Sequence, residues 1–172
     1  MVLSTIRRDR EESREEKTMR LIKPPTQLKW PDTTKALFLA GSIEMGKAED
    51  WQTAVTHALQ NHHITILNPR RDEWDSSWEQ SIHNPQFREQ VEWELEAQEK
   101  CDLIAMYFAP ETQAPITLLE LGLFAQSNKI LVACPDGYWR KGNIEVVCAR
   151  YNIPLYENLT QLVTAVRDEL SL

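Results

Sequence analysis

The sequence predicts an α/β protein, a doubly wound, five-stranded parallel sheet with helices on both faces. Three observations carry this. Short apolar runs alternate with helical periods from Lys35 to the C-terminus. The runs are unbroken instead of alternating with polar residues, as strands covered on both faces require. The first two end at turn residues, Gly41-Ser42 and Asn68-Pro69, as a strand leaving a sheet for a helix does.

The first strand is Ala36 to Ala40, followed by a helix from Asp50 to Asn61 with Trp51, Val55 and Leu59 on one face. The second strand, Ile64 to Leu67, leads into a long Trp-rich loop from Arg70 to Pro85 and a helix over residues 86 to 99. Asp102 to Phe108 is the third strand, Pro115 to Ser127 its helix, and Lys129 to Cys134 the fourth strand. A short helix at Asn143 to Ala149, a small strand at Ile153 to Tyr156 and a helix from Asn158 to Leu170 complete the pattern. Sheets of this kind bind ligands beyond the carboxyl ends of their strands, where the strand order reverses.

Composition narrows the function. At 172 residues, with 42% hydrophobic and 26% charged content, the chain suits one ordinary globular core. Eleven of the first twenty residues are charged with mixed sign, so residues 1–34 are expected to be a solvated arm and a proline-containing linker, Pro24-Pro25 to Pro31-Asp32, ahead of a domain at 35–172. No apolar run approaches a membrane span and the start lacks a secretory signal, which predicts a soluble, cytoplasmic protein. A net charge of −7 argues against binding a nucleic acid polymer but leaves a small nucleotide open as ligand. Cys101, Cys134 and Cys148 are too few and too widely spaced for a disulfide framework or a zinc site and are read as buried thiols. His62-His63 lack companions at ligand spacing, and Gly41 to Gly46 lacks the Gly-Lys-Ser/Thr ending of a P-loop. No metal and no cofactor is expected.

Two acids stand out. On the helix from Pro115, the residues Ile116, Leu119, Leu123 and Phe124 define an apolar face with Glu120 in its middle. Of the five glutamates between 86 and 99, only Glu94 falls in the stripe set by Phe87, Val91 and Leu95, with Gln90 and Gln98 four residues to either side. Two inward acids from helices flanking one strand are the minimum equipment for breaking a glycosidic bond: one carboxylate attacks or stabilises the anomeric carbon and the other protonates the leaving group. The competing interpretation is structural, with each acid paired to a buried Arg or a loop.

The stretch Leu37-Phe-Leu-Ala-Gly-Ser-Ile43, Glu94 eight residues before Asp102, Leu119-Glu-Leu-Gly122, and Cys134-Pro-Asp-Gly-Tyr-Trp-Arg140 to Asn143 together resemble the nucleoside 2-deoxyribosyltransferase family, most closely a branch with an Asn-Pro-Arg-Arg loop. The resemblance spans about residues 36 to 150. It implies a flavodoxin-like fold, a homo-oligomer and a nucleoside or nucleotide substrate. It also implies a covalent mechanism in which Glu120 attacks C1′ of a 2-deoxyribonucleoside, so that a second base or water accepts the sugar by transfer or hydrolysis. Glu94 falls on the family's acid that contacts the nucleobase, and Asn143 on a neighbouring-subunit asparagine that holds the 5′-hydroxyl.

The departures are specific. Phe38 stands where the transferases have a tyrosine that helps set the nucleophile, and Ala114 where they carry a loop acid. Glu44 follows Gly-Ser-Ile where related monophosphate glycosidases have arginine, which disfavours a phosphate there unless Lys47 compensates. Glu94 replaces the more usual Asp. These departures keep a catalytically silent nucleotide-binding or scaffold module in view, alongside a nucleotide N-glycohydrolase.

Around the acids, Gly41-Ser42 is read as a substrate-facing turn. Trp74 and Trp78 in the long loop either stack on a base or buttress the loop. Arg70 and Arg71 either hold an anion or pair with Asp72 and Asp75. Asp102 opens its strand at the far end and is structural.

Overall fold

The computed structural model describes residues 19–30, 34–43 and 49–172; the charged arm, Glu44 and Lys47 lie outside them. Among the described residues the strands are β1 (Arg20–Ile22), β2 (Lys35–Gly41), β3 (Ile64–Leu67), β4 (Leu103–Tyr107), β5 (Ile130–Ala133) and β6 (Leu155–Tyr156). The helices are α1 (Trp51–Ala58), α2 (Pro85–Lys100), α3 (Pro115–Phe124), α4 (Lys141–Tyr151) and α5 (Leu159–Leu170). All strand pairs are parallel, in the order β1-β3-β2-β4-β5-β6. This is a doubly wound, flavodoxin-like sheet with six strands where the sequence predicts five. The extra strand is β1, whose three residues carry no readable period; Leu21 pairs with Ile66 of β3. Beyond it the chain stays docked: the Trp93 indole donates to Thr26 O at 2.9 Å, and Leu28 and Trp30 pack on the core.

Alternation along each strand divides the interior into two cores. Phe38, Ala40, Ile104, Met106 and Val132 face Trp93 and Ala97 of α2, Leu121 of α3, and Ile144 and Cys148 of α4. Leu37, Leu39, Ile64, Ile66, Leu103 and Ala105 face Trp51 and Val55 of α1, and Leu162 and Val166 of α5. Helix starts follow local chemistry. Asn84 caps α2, accepting from Phe87 N at 3.1 Å ahead of Pro85, and Asn158 caps α5, accepting from Gln161 N at 2.9 Å. Pro115 opens α3 after Ala114, which takes a left-handed φ of 43°. Asp102 closes the far end of the sheet, accepting from Ala36 N at 2.8 Å and Lys35 Nζ at 3.1 Å.

The chain winds from β2 out to β3 and returns over the opposite face to β4, so β2 and β4 are the neighbours at which strand order reverses. Their carboxyl ends form the crevice floor, with Gly41 in register with Tyr107. Close approach requires glycine here. A Cβ on Gly41 would sit 2.5 Å from Tyr107 O and 2.6 Å from the Trp51 ring. Gly41→Ala should therefore destabilise the fold by about 1–3 kcal/mol, read as a lowered urea midpoint with an unchanged m-value.

Candidate active site

The crevice is built from the strand ends upward. Ser42 follows β2 and is fully buried. Its hydroxyl accepts the Ala109 N–H at 3.1 Å and lies 2.7 Å from Thr112 Oγ1. Because the Thr112 hydroxyl donates to Ala109 O at 2.8 Å, Ser42 is the donor to Thr112. Backbone bonds from Ser42 N to Tyr107 O at 3.1 Å and from Trp51 Nε1 to Ser42 O at 3.1 Å complete the knot. Gly41-Ser42 thus ties the end of β2 to the loop that leads into α3, and the Ser42 side chain is committed inside the protein.

Glu120 projects from the second turn of α3 and is 6% exposed. The apolar face expected around it is corrected: Ile116, Leu119 and Leu123 are 59%, 59% and 58% exposed, while Thr117, Glu120 and Leu121 are buried. A helix apolar on nearly every side gives the wheel no polar face to orient it. The stripe expected on α2 is likewise rotated. Phe87, Val91 and Leu95 are half-buried, and the buried residues are Gln90, Trp93, Ala97 and Gln98. Glu94 stays on the inward side and is half-buried; Glu89, Glu92 and Glu99 are exposed, while Glu96 is also half-buried and pairs with Lys100 at 2.7 Å.

Two glutamines hold the two acids. Gln98 Nε2 donates to Glu120 Oε1 at 2.7 Å, and Gln90 Nε2 donates both to Glu94 Oε1 at 2.7 Å and to Pro69 O at 2.9 Å. The Oε1 atoms of both glutamines are buried without a partner, and each amide NH₂ group divides its donors between one carboxylate and one backbone carbonyl, Pro69 O for Gln90 and Glu94 O at 3.3 Å for Gln98. Burial is the main force on the acids' pKa values. It pushes Glu94 up to about 7 against the Gln90 bond. It pushes Glu120 up to about 8, helped by repulsion from Glu94 and opposed by the Gln98 bond. The pair therefore retains a proton at neutral pH, as acid–base work requires. The glutamines were visible in the sequence at four residues either side of Glu94, but nothing in that spacing told that Gln98 would serve Glu120 instead.

The other site residues are placed as follows. Trp74 is 37% exposed and meets Trp78 edge-on, with ring centroids 5.2 Å apart. Arg71 stands 5.0 Å over the Trp78 ring and pairs with Glu89 on α2 at 3.2 Å, which pins the long loop to the body. Asn143 lies in the first turn of α4 and is exposed; it is not packed with the acids in this chain. Phe38, at the transferase tyrosine position, is fully buried on the same face as α2 and α3. Among the described residues no group of three or more His, Cys, Asp or Glu could hold a metal, and no helix is long and apolar enough to cross a membrane.

These features define a doubly wound α/β protein with a proton-retaining carboxylate pair at its switch point, a site suited to acid–base or nucleophilic chemistry on a small ligand. A family model described as nucleoside 2-deoxyribosyltransferase like matches residues 34–138, and the chain belongs to that family. No curated protein matches it.

The pKa of Glu120 has a consequence for stability. The folded value lies above the unfolded one, so between about pH 4.5 and about pH 8 the native state binds more protons than the unfolded chain. The stabilisation is fully present below that window and lost as pH rises through it. Glu120→Gln should flatten this decline, raising stability at pH 8 relative to pH 5 by on the order of a few kcal/mol against wild type, measured by urea unfolding at each pH.

Proposed function

We propose that the protein catalyses N-glycosyl transfer or hydrolysis on 2-deoxyribonucleosides through a covalent glutamyl-deoxyribose intermediate. The observation that carries this is the pair of inward acids, half-buried Glu94 and buried Glu120, each fixed by a glutamine amide. A carboxylate oxygen of Glu120 bonds to C1′ while the C1′–N bond breaks, and its electron pair leaves with the base. The base takes a proton from Glu94. An incoming base or water then attacks C1′, returns its proton to Glu94 and releases Glu120. Burial raises the pKa of both acids, so the pair brings a shared proton into the reaction. In the reactive state that proton sits on Glu94, a placement that the Gln98 N–H favours by stabilising ionised Glu120. Gln98 fills the part of the hydroxyl that Phe38 lacks.

In the same proposal the accessible face of Trp74 stacks on the base, the Gly41-Ser42 turn forms the floor beneath the sugar, and Asn143 serves the site of a second copy. The exposed row Ile116, Leu119 and Leu123 supports a homo-oligomer, because an apolar strip of that kind beside the acid pair is a surface to be covered.

Glu120→Ala should lower base release from a panel of deoxynucleosides by roughly 10³-fold or more and abolish the deoxyribosyl mass adduct on the protein. Full activity in that variant sinks the mechanism, and ligand-induced stabilisation without turnover in the wild type points to a silent binding module. The pH profile of kcat/KM in the wild type should be bell-shaped, with limbs near pH 7 and pH 8, as the pair gains a second proton or loses its last. Leu123→Arg should reduce the sedimentation coefficient with unchanged circular dichroism, and lower activity with it; an unaltered coefficient rejects this face as the interface.

A further inference from the structure

Thr117 and Glu120 stand three residues apart on α3, and both are buried, Thr117 at 3% exposure. That spacing puts two side chains on one helix face, with Cβ atoms about 5–6 Å apart. The Thr117 hydroxyl makes no hydrogen bond to any described residue. A threonine within a helix ordinarily satisfies its hydroxyl on the carbonyl four residues back. In this chain Thr56 does so to Gln52 O at 2.8 Å, and Thr164 to Thr160 O at 3.1 Å.

For Thr117 the corresponding carbonyl is already taken. Gln113 O accepts the Tyr138 hydroxyl at 2.7 Å and the Trp139 indole N–H at 3.2 Å, which fill the two lone pairs of a carbonyl oxygen. The carbonyl one residue nearer, Ala114 O, accepts Leu118 N at 3.1 Å. The segment after β5 therefore removes the local acceptor and leaves a buried hydroxyl open beside the acid pair. A buried hydroxyl without a partner is costly, and a ligand that pairs with it removes that cost.

Stereochemistry selects the ligand group. In the glycosyl-transfer proposal Glu120 approaches C1′ from the face of the sugar opposite the departing base. The base and C5′ of a nucleoside lie on one face of the ring, and the 3′-hydroxyl lies on the other. In 2-deoxyribose it is the one hydroxyl on the side from which Glu120 attacks. A side chain sharing the inward face of α3 with Glu120 meets that same side of the sugar. We infer that Thr117 is a specificity-determining residue that hydrogen-bonds the 3′-hydroxyl, so that the site selects sugars carrying this group in the natural configuration. The assignment rests on the glycosyl-transfer proposal for the direction of attack.

The test measures binding apart from turnover, in full-length Glu120→Gln protein. Dissociation constants are determined calorimetrically for the common deoxynucleosides, their 2′,3′-dideoxy counterparts and their 3′-epimers, in which the hydroxyl points to the other face. The natural deoxynucleosides should bind roughly 10-fold tighter than either analogue. Adding Thr117→Val, which keeps the shape and deletes the hydroxyl, should bring the ratio to about one, and Thr117→Ser should retain it. Because the ratio compares ligands within one variant, a general loss of stability does not imitate the result. Equal affinity for natural and dideoxy ligands, 3′-epimers that bind as tightly as the natural compounds, or a ratio that survives Thr117→Val each overturns the inference. Wild-type protein that releases no base, in company with the expected ratio, overturns the glycosyl mechanism alone; base release with equal affinities overturns the Thr117 assignment alone. Absence of binding by every ligand to every variant overturns both.

Discussion

Two carboxyl groups drawn away from water, Glu120 buried and Glu94 half-buried, on the helices beside the point where strand order reverses are the constraint around which the molecule is arranged. An isolated buried carboxylate costs several kcal/mol, and the chain meets that cost with two amides instead of a cation. Arginine partners would lower both pKa values and leave a pair of permanently ionised, unreactive acids. Gln90 and Gln98 donate without adding charge, so burial keeps the upper hand and the pair stays near neutral pH. Neutral donors thus leave the pair able to gain and lose protons near neutral pH, as an ion-pair network would not.

That balance requires rigid placement, and the sheet supplies it. Gln90 spans from Pro69, at the end of β3, to Glu94, so the acid on α2 is registered against the sheet and not only against its own helix. The Ser42, Ala109 and Thr112 bonds do the same for the loop preceding α3, and Gly41 lets the Trp51 ring close over the strand end. The ties from Gln90 to Pro69 and from Ser42 to Ala109 and Thr112 are short in space and span 21, 67 and 70 residues of sequence. The acids are therefore positioned by the strands' ends, where an error of an ångström would decouple them.

The strand and helix succession was legible because its elements obey local rules: unbroken apolar runs, turn residues at strand ends, and helical spacing of apolar residues. β1 was not, since three residues pairing with a distant strand leave no local trace. Glu94 and Glu120 were legible as the acids out of place among apolar neighbours, yet the buried faces assigned to both helices were rotated from the true ones. Both glutamates still face inward because each lies between the assumed face and the real one. Gln98 shows the remaining gap. Its significance lies in what its amide touches, which is a property of the folded chain alone.

The misassigned face of α3 has a physical origin that bears on assembly. Along Pro115–Phe124, Thr117 and Glu120 are the polar side chains, and both point inward, while Ile116, Leu119 and Leu123 point out. This inverts the usual amphipathic arrangement. In a monomer it exposes hydrocarbon and buries an acid, two costs on a single helix. The proposed chemistry accounts for the buried acid, but it does not account for three exposed aliphatic residues in a row on the adjoining face. A second copy over that row would relieve the exposure, and by excluding water beside the crevice it would hold the Glu120 carboxyl in the low-dielectric surroundings that raise its pKa. Catalytic tuning and assembly would then be two results of the same inverted helix.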